Sequence, residues 1–157
     1  MRVAVAFDHA GFPLKSEIVP LLEREGHEVV DCGTDSEESV DYPIYAARAA
    51  ELVSSGDADR AVLACGSGTG VSIVANKFSG VRAVNARDPE DAEMARRHND
   101  ANVLALAGRR LGQDQARDIV NAFFDAQFEG GRHQRRVDQI STIEAGDQQV
   151  EPLERSS

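Results

Sequence analysis

The segment RAVLACGSGTGVSIVANK, residues 60–77, indicates the fold class of this chain. Its first six residues form a short, mostly apolar run that ends at Cys65, which is typical of a strand buried on both faces of a parallel sheet. In the loop CGSGTG, residues 65–70, three glycines alternate with other residues, and an apolar helical pattern follows at residues 71–77. A strand, a glycine-rich loop and a helix in this order predict one unit of an α/β fold.

Similar runs of strand length recur along the chain and predict five strands, at residues 2–7, 27–32, 60–65, 81–86 and 102–107. The segments around them have helical periodicity, which predicts helices between Pro13 and Gly26 and at residues 43–54, 71–77, 89–98, 113–127 and 132–143. Pro20 is expected to kink or weaken the first helix. We predict a single α/β domain at residues 1–145, a Rossmann-like, doubly wound, mostly parallel sheet with helices on both faces. A polar, disordered tail is predicted at residues 146–157.

Composition excludes several classes of function. The formal net charge of −10 argues against non-specific binding to nucleic acid or to an anionic membrane. No apolar run approaches the roughly 20 residues that cross a bilayer, and Asp8 and His9 interrupt the first apolar run, so no signal peptide is predicted and a cytoplasmic protein is expected. The two cysteines, Cys32 and Cys65, have neither a CxxC motif nor a Cys/His ligand spacing, which disfavours disulfides and structural zinc.

The residues that follow the predicted strands carry the chemistry of the chain. Ligands of doubly wound sheets bind beyond the carboxyl ends of the strands, and these strand exits all lie at one edge. An acid, an imidazole, a thiol, a glycine-rich loop and an arginine are therefore expected to converge there: Asp8 and His9, residues 33–41, residues 65–70, Arg87, and Gly108 with Arg109.

The loop at residues 65–70 is the most informative of these exits. Its glycines let backbone amides face a ligand, and a helix amino terminus favours negative charge there. The loop is neither a dinucleotide-binding GxGxxG motif nor a P-loop, so it is a structural turn or an anion-binding loop, and the second is favoured. Cys65 could simply end a buried strand, but the adjacent helix amino terminus favours its thiolate and hence a catalytic role. Cys32 has no such loop and is interpreted as structural.

The other candidates have a structural explanation beside the functional one. Asp8 could cap the helix that follows it or take part in chemistry, and the spacing does not choose between the two. His98, beside Asn99, could satisfy the carbonyl groups at the end of a helix. Arg132 and Arg136 share one helix face, either as solvated charges or as a phosphate-binding pair.

Several motifs together resemble one family. They are AFDHAG at residues 6–11, DYP at 41–43, CGSGTGVSIVANK at 65–77, GVRA at 80–83, RHNDANVLALAGR at 97–109 and RHQRRVD at 132–138. In this order and spacing they are similar to the type B ribose-5-phosphate isomerases, a family that includes the subunits of galactose-6-phosphate isomerase. The resemblance extends over about residues 1–145.

The resemblance implies an aldose–ketose isomerase that acts through an enediolate and needs no metal and no organic cofactor. Cys65 would remove the carbon-bound proton. A branch of the family that lacks this cysteine uses a glutamate six residues further on, where this chain has Val71. His98, assisted by Asp8, would open the sugar ring. The enediolate would be stabilised by the loop amides and one hydroxyl, from Gly66, Ser67, Gly68, Thr69 and Gly70.

The resemblance also implies the remaining contacts. Asn99 would contact the sugar hydroxyls, and four cationic side chains would bind the phosphate: His9, Arg109, Arg132 and Arg136. The family acts as homodimers, sometimes paired into tetramers, so the active sites are expected at the subunit interface with the C-terminal helix packed on a partner subunit. The implied substrates are ribose 5-phosphate and ribulose 5-phosphate of the pentose phosphate pathway.

Other functions remain compatible with these residues. Allose 6-phosphate, galactose 6-phosphate or a tetrulose 4-phosphate would need only modest changes of the same pocket. A non-catalytic sugar-phosphate-binding module would suit the same fold, but the joint presence of Asp8, Cys65, Ser67 and His98 argues against it. A thiol redox protein is disfavoured because Cys65 has no partner cysteine in its motif.

Overall fold

All five predicted strands are present in the computed structural model, which describes residues 1–147. They are β1 (Arg2–Phe7), β2 (Glu28–Asp31), β3 (Arg60–Cys65), β4 (Ala83–Asn85) and β5 (Val103–Ala107). Every strand pairing is parallel, and the strand order is β2-β1-β3-β5-β4. The sheet is therefore the doubly wound α/β sheet expected from the sequence, with β3 at its centre.

Six helices lie within residues 1–147: α1 (Lys15–Arg24), α2 (Tyr42–Ser55), α3 (Thr69–Ala75), α4 (Pro89–Asn99), α5 (Gln113–Asp125) and α6 (Arg132–Glu144). α4 begins after Asp88, whose carboxylate accepts a hydrogen bond of 2.8 Å from the Asp91 amide, as expected of a capping residue. α3 begins two residues earlier than predicted and α5 ends two residues earlier. α1 continues through Pro20, so the proline does not end this helix.

Different helices cover the two faces of the sheet. α1, α4 and α5 pack on one face through side chains that include Ile119 and Phe123. α2 and α3 pack on the other face, where nine of the fourteen buried core residues are alanines such as Ala46, so these helices need little space above the strands. α6 packs against α4 and buries only His133 and Val137.

This layering places the loop after β3 between the loops after β1 and β5, which lead to the opposite face of the sheet. The chain leaves β3 toward α3 on the alanine-rich face, whereas it leaves β1 and β5 toward α1 and α5 on the other face. Crevices open where neighbouring loops diverge in this way, and ligands of doubly wound sheets bind in them. We call the crevice between the ends of β1 and β3 the first crevice, and that between the ends of β3 and β5 the second crevice.

The bounds of β1 and β3 agree with the prediction to the residue, but the edge strands β2 and β4 are shorter than predicted. β4 begins at Ala83 and not at Val81, and asparagine side chains bind the backbone amides at its start. The Arg82 amide donates to Asn102 Oδ1 and the Ala83 amide donates to Asn76 Oδ1, each at 2.8 Å. Such side-chain bonds compete with strand pairing.

The sequence also led to expectations about the C-terminal tail and about membrane-spanning segments. Residues 148–157 of the predicted tail lie outside the described residues, so the domain boundary at residue 145 stays a prediction. Within residues 1–147, no helix combines the length and apolar character that a bilayer span requires.

Candidate active site

The first crevice contains an open cleft of about 650 Å³ at the carboxyl ends of β1 and β3. Gly68, one of the predicted site residues, belongs to the loop of this cleft but does not line it. The structure brings eight other predicted site residues to the walls: Asp8, His9, Cys65, Gly66, Ser67, Thr69, Gly70 and Arg109.

Cys65 ends β3 and is 4% exposed at the wall of the cleft. The backbone amides of the next three residues, Gly66, Ser67 and Gly68, have no acceptor among the described residues. The Ser67 hydroxyl oxygen accepts a hydrogen bond of 3.2 Å from the Thr69 amide, which leaves the hydroxyl proton for a ligand. A buried thiol beside free amides and a hydroxyl suits a catalytic base next to an oxyanion hole.

β4 supports this loop from behind, which sequence analysis did not foresee. Gly68 has a left-handed backbone with φ of 75°, and a Cβ at this position would lie 2.3 Å from Asn85 Oδ1, so only glycine fits. Asn85 Nδ2 donates to the Ser67 carbonyl at 3.0 Å and to Thr69 Oγ1 at 3.4 Å. No local signal identifies Asn85, because its partners lie on a distant segment of the chain.

Asp8 closes the turn after β1 rather than capping a helix, and its part in chemistry stays a prediction. Its Oδ1 accepts hydrogen bonds from the amides of Ala10 at 2.9 Å and Gly11 at 2.8 Å, which closes the turn after β1. Its Oδ2 has no partner among the described residues, and the side chain lines the cleft. The buried carboxylate is therefore oriented by the turn and keeps one oxygen for a ligand.

Two side chains with N–H donors, His9 and Arg109, complete the wall. His9 Nδ1 accepts a hydrogen bond of 3.1 Å from the Val40 amide, so the neutral imidazole carries its proton on Nε2 and can donate it to an anion. A Cβ on Gly66 would lie 3.1 Å from Arg109 Nη1, which places the guanidinium directly over the loop. The Arg109 guanidinium has no ion-pair partner among the residues that the structure describes.

The cleft also contains residues that sequence analysis missed, namely Tyr42, Ile73 and Arg110. Tyr42 begins α2, and its ring packs on Gly70, where a Cβ would lie 2.4 Å from Tyr42 Cζ. The DYP motif was a usable signal for Tyr42, because it directly follows the loop after β2. No pattern in the sequence indicated that Ile73 and Arg110 would face the cleft.

Four predicted site residues do not line this cleft: His98, Asn99, Arg132 and Arg136. The first two end α4 and the last two lie on α6, and these helices contact each other. One chain therefore carries two groups of predicted site residues. One lies in the first crevice, and the other, which we call the α4–α6 group, lies outside it.

His98 is held by ring stacking between these two helices. Its ring is nearly parallel to that of His133, with centroids 4.2 Å apart and planes 8° apart. His133 is 6% exposed, and burial, together with the charge of His98, lowers the pKa of His133. Glu129 lies within 3.8 Å of both imidazoles, and a hydrogen bond of 2.7 Å from Arg97 lowers the pKa of its carboxyl.

His98, Glu129 and His133 are also the one group within residues 1–147 whose ligand atoms lie close enough to hold a metal ion, within 4.8 Å of one another. The parallel rings direct their in-plane lone pairs side by side, however, whereas a bound metal needs lone pairs that converge at about 2.0–2.1 Å. Glu129 is also engaged by Arg97. The geometry therefore favours a stacked histidine pair over a metal site.

Comparison with known proteins gives the family. Residues 3–140 match the family model described as Ribose/Galactose Isomerase. The chain belongs to this family. Its sequence is 50% identical over 143 residues to ribose-5-phosphate isomerase B of Escherichia coli strain K12, an alignment that covers 91% of this chain and 96% of that protein.

Solved structures that carry the name ribose-5-phosphate isomerase B have the same fold. That of Clostridium thermocellum gives a TM-score of 0.90 at 47% identity and covers 93% of this chain and 99% of its own. That of Mycoplasma genitalium, with bound ribulose 5-phosphate, gives 0.88 at 39% identity and covers 93% and 97%. The family resemblance and the α/β fold predicted from the sequence are thereby confirmed.

The contact between Gly70 and Tyr42 gives a test of the cleft geometry. Gly70→Ala should lower the free energy of unfolding by about 1–3 kcal/mol, because the added methyl group would overlap the Tyr42 ring. Tyr42→Ala removes that ring, so Gly70→Ala should cost much less in a Tyr42→Ala background. Chemical denaturation of both single variants and the double variant measures the coupling. Equal costs in the two backgrounds would show that the strain does not come from Tyr42.

Proposed function

We propose that this chain interconverts ribose 5-phosphate and ribulose 5-phosphate through an enediolate. Membership of the Ribose/Galactose Isomerase family and similarity to proteins named ribose-5-phosphate isomerase B support the proposal. The observation that carries it is the buried Cys65 thiol at the wall of the cleft, followed directly by three backbone amides that have no acceptor among the described residues. The reaction needs a base for a carbon-bound proton and donors for an oxygen that becomes negative, and this loop offers both.

The proton transfer follows from the position of the thiol. Cys65, as the thiolate, removes the proton from C2 of the open-chain aldose. The electron pair of the C2–H bond becomes the C1–C2 double bond, and the carbonyl oxygen on C1 takes the negative charge. The loop amides and the Ser67 hydroxyl donate to that oxygen. Cys65 then returns the proton to C1, while the hydroxyl proton on O2 moves to O1 and leaves the ketone at C2.

A closed furanose has no carbonyl group beside C2, so the ring must open first. Opening removes a proton from the O1 hydroxyl and delivers a proton to the ring oxygen. We assign this transfer to His98, assisted by Asp8, whose Oδ2 has no partner among the described residues at the cleft wall. Stacking on His133 holds the His98 ring in one orientation.

The phosphate is bound at a distance from the reacting carbons. His9 donates from Nε2, Asn99 contacts the sugar hydroxyls, and the guanidinium groups come from Arg109, Arg132 and Arg136. The binding energy of the phosphate, which does not react, orients the substrate so that C2 lies against the Cys65 thiolate. No step requires a metal or an organic cofactor.

Two copies of the chain assemble this site. The cleft of one subunit supplies Asp8, Cys65 and Arg109, and the α4–α6 group of its partner supplies the ring-opening histidine and two phosphate-binding arginines. Exposed apolar side chains near both regions support a homodimer, because Ile73 at the cleft is 56% exposed and Ile143 on α6 is 49% exposed. Dimers of this kind can pair into tetramers. We place the enzyme in the cytoplasm, in the pentose phosphate pathway.

Replacement of the base gives the first test. Cys65→Ala should lower turnover by several orders of magnitude and leave the binding of a phosphorylated inhibitor nearly unchanged, because the thiol acts on carbon and not on phosphate. Steady-state kinetics and calorimetry measure the two quantities. The matched control is Cys32→Ala, since the Cys32 thiol donates to the Val30 carbonyl of β2, packs on the alanine-rich face and lies outside the cleft. Turnover above about a tenth of the wild-type value in Cys65→Ala would mean that another group is the base.

A substrate panel tests the choice of sugar. Ribose 5-phosphate should have the highest kcat/KM when it is compared with allose 6-phosphate, galactose 6-phosphate and a tetrulose 4-phosphate. A higher value for another sugar would keep the isomerase mechanism and reassign the substrate. A non-catalytic binding module would bind these phosphates without exchange of the C2 proton in deuterated water, which NMR of the sugar detects.

Subunit complementation tests the shared site. Cys65→Ala and Arg136→Ala homodimers should each be inactive, and mixing them under conditions of subunit exchange should regenerate activity. Random pairing makes about half of the dimers mixed, and each mixed dimer has one intact site of two, so about a quarter of wild-type activity is expected. Native mass spectrometry verifies the exchange.

The structure supplies a matched control for this experiment. Arg109 lines the same cleft as Cys65, so a mixture of Cys65→Ala and Arg109→Ala places one defect in every cleft of the mixed dimer and should regain no activity. Recovery in neither mixture, with exchange verified, would mean that Arg136 serves the cleft of its own subunit. Equal recovery in both mixtures would contradict the placement of Arg109.

A further inference from the structure

The second crevice contains a cavity of about 350 Å³ on the far side of the loop at residues 65–70. The cavity and the active-site cleft share Ser67, Thr69 and Arg110, so this loop and the Arg110 side chain lie between them. The mechanism above assigns nothing to this cavity. Its remaining walls come from the exits of β4 and β5 and from α5: Asn85, Arg87, Ala107, Arg110, Leu111 and Gln115.

Arg87 and Arg110 give this cavity an unbalanced positive charge. Neither guanidinium has an ion pair or hydrogen bond with any residue that the structure describes, and no lining residue carries a carboxylate. The acids nearest to Arg87 in sequence bind backbone amides instead. Asp91 Oδ2 accepts from the Arg87 amide at 3.1 Å, and Asp88 Oδ1 accepts from the Asp91 amide at 2.8 Å.

Carboxylates are abundant in this chain, which has 27 acidic residues and 17 lysines and arginines. Five of the eleven described arginines away from the strand exits form ion pairs with them, among them Arg82, Arg97 and Arg117. Two guanidinium groups that line one cavity, neither paired with a described residue, both attract an anion that enters it. The charge arrangement therefore favours an anionic ligand.

We propose that the second crevice binds a phosphate dianion, as inorganic phosphate or as the phosphate group of a small phosphorylated metabolite. Two guanidinium groups match the charge of the dianion, and their planar forks suit phosphate oxygens. The Thr69 hydroxyl accepts a hydrogen bond from Asn85 Nδ2 and keeps its own proton to donate. A volume of 350 Å³ lies at the small end of ligand pockets, which suits phosphate or a short monoester. The site is separate from the position of Arg109 and does not depend on the proposed isomerase activity.

Phosphate titration of the full chain, followed by NMR at constant ionic strength, tests the proposal. The reporters are the Nε–H signals of Arg87 and Arg110 and the backbone amide of Leu111, which should shift in a saturable manner with one dissociation constant. Arg87→Ala should raise the dissociation constant measured at Arg110 and Leu111 about tenfold, which is the loss of affinity expected for one charge-assisted contact. Arg109→Ala should leave it unchanged.

Arg24→Ala is the control for a change in net charge, because Arg24 also lacks an ion-pair partner among the described residues but lies on α1, outside the crevice. It should leave the dissociation constant unchanged. The proposal would be overturned if Arg24→Ala and Arg87→Ala raised the dissociation constant for phosphate equally. It would also be overturned if the Arg87 signal of the wild-type protein showed no saturable shift. The proposal also fails if the Arg110 signal responds to Arg109→Ala and not to Arg87→Ala, since phosphate would then occupy the active-site cleft.

A second titration separates the two sources of phosphate. Glycerol 3-phosphate should produce the same pattern of shifts if the crevice accepts a monoester. If only inorganic phosphate produces it, the free ion is the ligand. Absence of the pattern with both compounds contradicts the proposal.

Discussion

The central position of β3 is the constraint on which both crevices depend. β3 pairs with β1 on one side and with β5 on the other, each over five residue pairs, so its backbone is fixed on both sides. The loops after β1 and β5 lead to one face of the sheet, and the loop after β3 leads to the other. The position of both crevices is thus set by topology, before any loop side chain is considered.

Backbone hydrogen bonds extend this constraint into the site. The Asp8 amide donates to the Ala64 carbonyl at 3.0 Å, and the Gly108 amide donates to the Cys65 carbonyl at 2.7 Å. The exits that carry the acid, the thiol and Arg109 are therefore tied to one another through main-chain atoms. Groups held in this way lose little further freedom when a substrate binds, which favours catalysis by orientation.

The division of the predicted site residues into two groups has a structural consequence. The first crevice holds the groups suited to proton transfer at carbon, and the α4–α6 group holds the stacked histidines and two arginines. If a second subunit brings these groups together, as we propose, catalysis depends on assembly. Complete sites would then form only above the concentration at which the chains associate.

Sequence patterns predicted the central strands more accurately than the edges. β1 and β3 are apolar and buried from their second residue onward, and burial on both faces leaves little choice of bounds. β4 begins later than predicted, at a point where the Asn102 side chain, 20 residues further along the chain, accepts a hydrogen bond from the Arg82 amide. Arg110 was not predicted as a site residue, because its position between the two cavities depends on which loops are neighbours in the folded chain.

The sequence by itself determined the order of strands and helices and the residues at each strand exit. These follow from local periodicity and from glycine and proline positions, which act over a few residues. Only the tertiary structure decided that β5 lies between β3 and β4, that His9 carries its proton on Nε2, and that His98 stacks on His133. Each of these depends on contacts between segments far apart in the chain, whose free energies no local pattern encodes.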